Sequence, residues 1–521
     1  MLKLRRKPNQ LFVGSILSYV QMALGVIIGL LYTPIMIRLL GKSEYGLYNT
    51  ISSTISMLSV LSLGFNSSYI RYYSKYKKNE DSESIYRLNG LFIIIFSVIG
   101  LIALVCGLFF TFNLKLVFDE GLSASEYKTA TILMLLLTIN LSFSFPMSVF
   151  QSIISAHERF IFLKTLGMIK TILSPLVTLP LLLMGYKSIA MVAVTVSIHL
   201  ITDVIFCFYV IAVLKNRFVF SGFEPGIMRS LFTYTSFIAI NMIVDQINWS
   251  VDKLLLGRFR GTEVVAIYAV GFSLHSYYNM FSKAVSGVFT PRVHKIINQY
   301  SDNLDDRNNE LTRLFTKVGR VQYLILALIG SGLIFFGKPF IGFWAGKGYG
   351  ESYYVALLLT LPSTIALIQN LGIEIQRAEN KHQFRSIAYL IMAFINLGMS
   401  IVLCQLYGAV GAAFGTAFAL IVANGFIMNI YYHKKCGLDV VLFWKNIIMM
   451  SRGLIIPAAI GVGMMYFVDY HSVLVLLVCI AIYSLSYGFS MWKLGMNEYE
   501  KDLILKPFKM LKTRSRARRL K

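Results

Sequence analysis

Charge is scarce in this 521-residue chain. Asp, Glu, Lys and Arg together make up 14%, against about 25% in soluble domains. That shortage excludes an ordinary water-soluble fold. Acidic residues are the scarcer sign, at 25 against 49 Lys and Arg, so the net charge is +24. The excess does not point to nucleic acid. Its basic residues sit in short loops between apolar blocks, mostly at every second loop, as cytoplasmic loops of a membrane protein do. Cysteine is also sparse. Cys106, Cys207, Cys404, Cys436 and Cys479 form no CxxC pair, and all but Cys436 lie within apolar blocks. No disulfide framework and no metal site is implied. Catalytic motifs are missing as well. Gly41-Lys42-Ser43 mimics the end of a P-loop, but Met36 stands where the motif needs its first Gly. There is no HExxH and no serine-nucleophile constellation. Outer loops run to about 16 residues or fewer, which leaves little room for the sugar chemistry of a membrane glycosyltransferase or polymerase. The one adjacent acidic pair outside, Asp119-Glu120, reads as a solvated loop. The chain is expected to be no enzyme and to need no cofactor.

What is abundant is apolar sequence, 56% of the chain. It falls into about fourteen blocks, each near the roughly 20 residues that cross a 30 Å hydrocarbon layer as a helix. The expected spans are 11–36, 45–68, 88–112, 129–153, 160–184, 188–214, 229–256, 264–291, 320–337, 352–376, 384–406, 409–432, 446–468 and 471–492. Backbone groups in lipid must bond internally, so these are helices, and the chain reads as an all-α integral membrane protein. The basic start (Lys3, Arg5, Arg6, Lys7) resembles a signal n-region, but the apolar run after it is too long and lacks a cleavage site. It reads as a retained first helix. With the N-terminus in the cytoplasm, Lys and Arg favour the inner side by about four to one. An even span count returns the C-terminus to the cytoplasm. The tail there carries Lys506, Lys509, Lys512, Arg514, Arg516, Arg518, Arg519 and Lys521, and reads as a topology determinant lying against anionic lipid.

The two halves echo each other. Leu39-Leu40-Gly41 is answered by Leu255-Leu256-Gly257, and Gly46-Leu47-Tyr48 by Ala266-Ile267-Tyr268. The segment 155–162 is answered by 377–384, and Met184-Gly185-Tyr186 by Leu406-Tyr407-Gly408. The offset stays near about 220 residues, as in transporter repeats. Two six-helix lobes in parallel repeat follow, over 1–220 and 221–435. The last two spans and the basic tail form an addition over 436–521. Two such lobes make alternating access around a mid-bilayer site the default mechanism.

A charge at mid-bilayer costs about 2.5–3.5 kcal/mol on insertion scales and normally faces a cavity. Lys170, Asp203, Asp245, Asp252, Lys253, Lys283 and Glu374 are such residues. Lys253 and Glu374 lie close enough to the interfaces to reach them. Asn241, Asp245, Asn248 and Asp252 recur at helical spacing, so all four share one stripe of span 7. The stripe either lines a water-filled lumen or pairs between helices. Lys170 and Asp203, on adjacent spans at similar depth, either pair structurally or face the lumen. His199 and His275 are bundle histidines or proton relays. Pro146 and Pro362 sit in corresponding spans, where they either mark hinges or are tolerated for structural reasons.

The segment Pro34-Ile35-Met36-Ile37-Arg38-Leu39-Leu40-Gly41, followed by Glu44-Tyr45-Gly46-Leu47-Tyr48, resembles the first-helix signature of bacterial polysaccharide flippases. These are the Wzx-type transporters of lipid-linked oligosaccharides. Leu61-Ser62-Leu63-Gly64-Phe65, Arg71-Tyr72 and Asp252-Lys253-Leu254-Leu255-Leu256-Gly257 continue the likeness over essentially the whole chain. That family shares a superfamily with MATE-type exporters and lipid II flippases. The resemblance implies a central cavity between lobes. It also implies movement of undecaprenyl-pyrophosphate-linked oligosaccharide from the inner to the outer leaflet of the cell membrane. Arg38, Arg71, Lys170 and Lys283 are the candidate cations for a pyrophosphate, and Asn241, Asn248 and Asp252 the hydrogen-bonding groups for sugar. Asp203, Asp245 and Glu374 are candidates for ion coupling. Substrate and membrane lipids are the implied partners, with a polysaccharide polymerase and glycosyltransferases as further ones. A MATE-type drug/cation antiporter is the alternative; it usually has twelve spans.

Overall fold

The computed structural model describes residues 10–118, 122–223, 225–300, 302–379 and 381–506. The basic start, the Asp119-Glu120 pair and the tail from 507 lie outside these residues. In chain order the helices are α1 (Gln10–Leu40), α2 (Lys42–Met57), α3 (Phe65–Lys78), α4 (Ser82–Phe112), α5 (Ala124–Ala156), α6 (Phe160–Leu183) and α7 (Ser188–Phe208). Then come α8 (Ile227–Trp249), α9 (Val251–Arg260), α10 (Thr262–Gln299), α11 (Leu304–Trp344), α12 (Ser352–Ile368) and α13 (Asn370–Ala378). The chain continues with α14 (His382–Leu420), α15 (Met428–Lys435), α16 (Val440–Ser451), α17 (Ile455–Phe467) and α18 (Val473–Ser490). A last helix, α19, covers 498–506. There is no strand among the described residues.

Nine of these stretches are long and apolar enough to cross a membrane, or up to eleven if each bent pair is one span. Every one of the expected blocks falls on a helix or a broken pair, so the architecture is compatible with about fourteen spans. Two blocks merge, because α14 to α15 is one apolar stretch of 53 residues. Its interior break is Gly408, at φ 58 and ψ −135, which separates the two expected spans. The tenth block is bent by 43° between α12 and α13. That bend falls at Gln369, past Pro362, which stays within α12. Helix α5 runs straight through Pro146.

The second block is broken outright. After α2 a tight turn covers Leu58–Ser62, and then Leu63 (φ 48) and Gly64 (φ 73) are both left-handed. A left-handed leucine costs roughly 1–2 kcal/mol. At Gly64 a Cβ would also collide with the Ile238 side chain of α8. The break lets α3 start afresh with its own register.

The chain divides into two compact units, residues 1–270 with 386–416, and residues 271–385 with 417–521. In the first unit the α4–α5 contact is the most extensive. Between apolar helices in lipid, close packing replaces the hydrophobic effect, so small residues matter. Gly100 and Gly107 of α4 let α5 approach until a Cβ on Gly100 would sit 2.6 Å from the Ser142 carbonyl. The Ser142 hydroxyl donates back to the Gly100 carbonyl at 2.7 Å. Helix α5 begins with a full capping box between Ser123 and Glu126, worth about 1 kcal/mol. At the other end a core of Phe65, Tyr69, Tyr73, Phe92, Phe96 and Phe150 packs α3, α4 and α5 together.

The connection from α7 to α8 is strapped onto that core. The Val219 amide donates to the Tyr86 carbonyl (3.0 Å), and the Phe218 ring meets Phe150 edge-on. Asn89 Nδ2 donates to the Arg217 carbonyl (3.0 Å) and Arg87 Nη1 to the Gly222 carbonyl (2.9 Å). His157 joins in. Its Nδ1 donates to the Ile153 carbonyl at 2.9 Å. Nε2 is therefore the acceptor, facing the Tyr73 hydroxyl at 3.2 Å and the Asn216 amide at 3.4 Å. Burial holds this histidine below its ordinary pKa, and Lys77 and Arg159 push the same way.

The second unit has one core at the middle of α11 and another nearer its C-terminal end. Phe336 packs with Leu476, Cys479 and Tyr483, and Ala327 with Met450, Tyr487 and Met491. Tightened or widened turns close three spans: π-helical turns follow α7 (Tyr209–Val213), α14 (Ile421–Ile427) and α18 (Met491–Gly495).

Candidate functional site: a polar cavity in the first unit

Helices α5, α6 and α7 each carry a polar stripe, and the three stripes face one space. Ser148, Gln151, Ser152 and Ser155 come from α5, and Lys164, Gly167, Lys170, Thr171 and Ser174 from α6. Helix α7 adds Thr195, His199, Thr202 and Asp203, α1 adds Gln21, and α3 adds Asn66. Steps of three or four residues put each set on one helical face. The cavity measures about 740 Å³, within the range of small-molecule sites. The restart at Gly64 gives Asn66 its place, where its Oδ1 accepts from Ser152 at 3.2 Å and Ser148 at 3.4 Å.

The hydroxyls mostly bond backward along their own helices. Thr171 donates to the Gly167 carbonyl at 2.9 Å, Thr195 to Met191 at 2.9 Å, and Thr202 to Ile198 at 2.7 Å. Their protons are used, so what they offer the cavity is lone pairs. Gln21, Asn66 and Gln151 have amide N–H donors to offer. Lys164 and Lys170 are cations, and among the described residues of the lining Asp203 is the one carboxylate. Lys170 and Asp203 are near enough for their charges to interact, yet they close no direct ion pair. The lining can bind a hydroxyl-rich ligand from several sides, and its excess of cations favours an anionic group.

The span 7 stripe has a different setting. Asn241 Nδ2 donates to the Ser386 hydroxyl at 3.0 Å. Asn248 Oδ1 accepts from Asn396 Nδ2 at 3.1 Å. Asp252, only 1% exposed, accepts from the Tyr268 and Thr416 hydroxyls, each at 2.8 Å. Three of the four members thus bond to the 386–416 segment as an interhelical seam, while Asp245 is exposed on α8. The other candidates are dispersed. Arg38 is exposed in the last turn of α1, Arg71 on α3 and Lys283 on α10. Glu374, on α13, pairs with Arg377 at 2.8 Å. Of the residues singled out from sequence, the cavity gathers Lys170, Asp203 and His199. Asn66, Gln151, Lys164 and the hydroxyl rows were not singled out, although their three-to-four spacing within apolar helices was a usable signal. Among the described residues no group of three His, Cys, Asp or Glu could hold a metal ion.

Apolar helices of spanning length around a polar, charged cavity make this a multi-pass membrane protein. The family model described as "Polysaccharide biosynthesis protein" matches residues 13–297, and the chain belongs to that family. Among curated relatives, it is 23% identical over 208 residues to the capsular polysaccharide biosynthesis protein CapF of Staphylococcus aureus, 40% of this chain and 50% of that protein. It is 22% identical over 194 residues to a probable low-salt glycan biosynthesis flippase of Haloferax volcanii, 37% of this chain and 40% of that one. The matches thus span half or less of these relatives' lengths. Among solved structures, the lipid II flippase MurJ in an inward closed conformation aligns with TM-score 0.67 at 18% identity, over 95% of this chain and 99% of that one. An inward-facing MATE multidrug transporter aligns with TM-score 0.59 at 10% identity, over 81% and 99%. The chain shares the fold of both. The resemblance seen in the sequence is met by the family match.

Proposed function

We propose that the chain is a flippase that moves undecaprenyl-pyrophosphate-linked oligosaccharide from the inner to the outer leaflet by alternating access, for cell-surface polysaccharide synthesis. The observation that carries this is the cavity of the first unit. It offers lone pairs, amide donors and two lysines in a chain of the polysaccharide biosynthesis family. Hydroxyl-rich sugar and anionic phosphate are the chemistry such a lining suits. The greater share of this chain aligned with the lipid II flippase than with the MATE transporter favours a lipid-linked cargo over a drug.

Within this reading Lys170 is the cavity cation that draws the phosphate-linked end. Arg38, Arg71 and Lys283 serve the same charge elsewhere on its path, and Asn241, Asn248 and Asp252 keep the seam against which the cavity helices work. Asp203 is the leading candidate for ion coupling, since it faces the cavity beside Lys170; Asp245 and Glu374 are the others. The two six-helix repeats at 1–220 and 221–435 move as lobes, with 436–521 as an added pair and tail. Both termini lie in the cytoplasm, in the cell membrane. The protein carries out no bond chemistry, and a polymerase and glycosyltransferases act on either side of its step.

The test is export. Lys170→Ala is expected to abolish surface polysaccharide at unchanged protein level, while lipid-linked repeat units accumulate on the inner leaflet. Normal export by this variant refutes the role of the cavity cation.

A further inference from the structure

The Gly41-Lys42-Ser43 turn, too incomplete for a P-loop, forms one wall of a second cavity in the first unit. This cavity measures about 470 Å³, within the range of small-molecule sites. Among the described residues it shares no lining with the first cavity. Lys42, Ser43 and Glu44 come from the start of α2, Glu126 from the start of α5, and Lys187 from the position just ahead of α7. Of the described lining only Leu40 and Leu47 carry apolar side chains. On the orientation expected from the loop charges, this end faces outward.

Both carboxylates of the cavity are held in place by the protein. Glu44 Oε1 accepts from the Ser188 amide at 2.8 Å and from its hydroxyl at 2.6 Å, and Oε2 meets the Lys187 ammonium at 3.3 Å. Glu126 Oε2 accepts from the Ser123 amide at 2.9 Å and from its hydroxyl at 2.8 Å, and Oε1 accepts from the Ser43 hydroxyl. An ionised carboxylate offers about four acceptor positions. Three are taken on each, so each glutamate keeps about one, in a fixed direction, for a ligand's donor. The Lys187 side chain is 67% exposed and spends one N–H on Glu44, so its ammonium has protons left to give. Lys42 stands 3.7 Å from Glu263.

Two lysines and two glutamates leave the described lining without net charge. A phosphate would meet both carboxylates there, and that repulsion selects against it. A neutral hydroxyl suits the lining from both sides, giving its proton to a carboxylate and accepting one from an ammonium. The first cavity, with its excess of cations, has the opposite preference. We propose that this second cavity binds the uncharged saccharide part of the cargo at the outer face, through Glu44, Glu126 and Lys187, apart from the phosphate-linked end. The source of that sugar rests on the flippase reading; the binding chemistry of the lining does not.

The probe is the oligosaccharide released by mild acid from the lipid-linked pool of the producing cells, free of lipid and pyrophosphate. Ser125→Cys places a thiol at an exposed position of the cavity wall. Its rate of reaction with a charged methanethiosulfonate is read on the full chain in micelles, with the native chain as background. The oligosaccharide is expected to slow that reaction about fivefold or more, and adding Lys187→Ala should cut the protection about threefold. Inorganic pyrophosphate should give none. Equal rates with and without the oligosaccharide overturn the proposal, and so does equal protection by pyrophosphate, which would make this an anion site. Ser174→Cys, in the first cavity, keeps the two readings apart. Slowing there by the intact lipid-linked oligosaccharide leaves the flippase reading standing when the outer site fails, and no slowing at either thiol overturns both.

Discussion

Removing Arg320 should cost more than any other single side chain in the second unit. Arg320 is 6% exposed and Glu500 2%. The guanidinium donates through Nε to Oε1 at 2.6 Å and through Nη2 to Oε2 at 2.8 Å, a bidentate pair. It also reaches the Asn446 carbonyl through Nη1 (3.1 Å) and the Gly495 carbonyl through Nη2 (3.0 Å). One side chain thereby ties α11 to α16, to the end of the α18 span and to α19. Breaking a buried pair by deleting one partner leaves an uncompensated charge, at about 3–5 kcal/mol. Arg320→Ala belongs near the top of that range, because Glu500 keeps only the Asn497 amide. Glu500→Ala belongs near the bottom, because the arginine keeps two carbonyls. An apolar exchange of both, Arg320→Met with Glu500→Leu, should recover most of the loss, since the net worth of a buried pair is small. The assay is denaturant unfolding in detergent micelles, read as a double-mutant cycle. Single losses below about 1 kcal/mol, or strictly additive ones, would refute the clamp.

Other outcomes follow from the first unit. Gly46→Ala would drive a Cβ into the Thr262 carbonyl, and is expected to lower stability by about 2 kcal/mol or more in a thermal melt. Gly64→Ala meets both a left-handed backbone and the Ile238 side chain, so a loss of about 1–3 kcal/mol is expected; an unchanged melting point would show that the break relaxes. Asp252→Ala strips the acceptor from the Tyr268 and Thr416 hydroxyls, and a loss of about 1–3 kcal/mol is expected in a thermal melt. Burial holds His157 below its ordinary pKa, so the unfolded chain takes up its proton first. The unfolded state then binds more protons as pH falls below about 6.5, and stability drops there while staying flat above. His157→Gln should remove that acid-side slope, and an identical slope in both proteins argues against the assignment.

The spans were legible because hydropathy needs no partner: a long apolar run in a chain with so little charge has one physical solution. The break at Leu63-Gly64 was not, since apolar residues run straight through it and only Ile238, far along the chain, shows why no side chain fits. Lys170, His199 and Asp203 stood out as polar groups at mid-bilayer. The hydroxyl rows beside them did not, because Ser and Thr bond back to their own helix and pass for scaffold. Of the span 7 stripe, Asn241, Asn248 and Asp252 meet the 386–416 segment and Asp245 is exposed, and periodicity does not name what a face meets. Arg320 and Glu500 are 180 residues apart, and nothing local in either segment announces the other.

The interrupted second block has a mechanical meaning. Its upper piece, α2, packs chiefly on α5 and α9, whereas its lower piece, α3, packs on α4, α5 and α8. A continuous helix would transmit torque from one set of neighbours to the other like a drive shaft. The left-handed pair Leu63-Gly64 uncouples the two pieces. α3, which presents Asn66 to the cavity, takes its register from α4, α5 and α8, while α2 keeps the one that its contact with α9 sets.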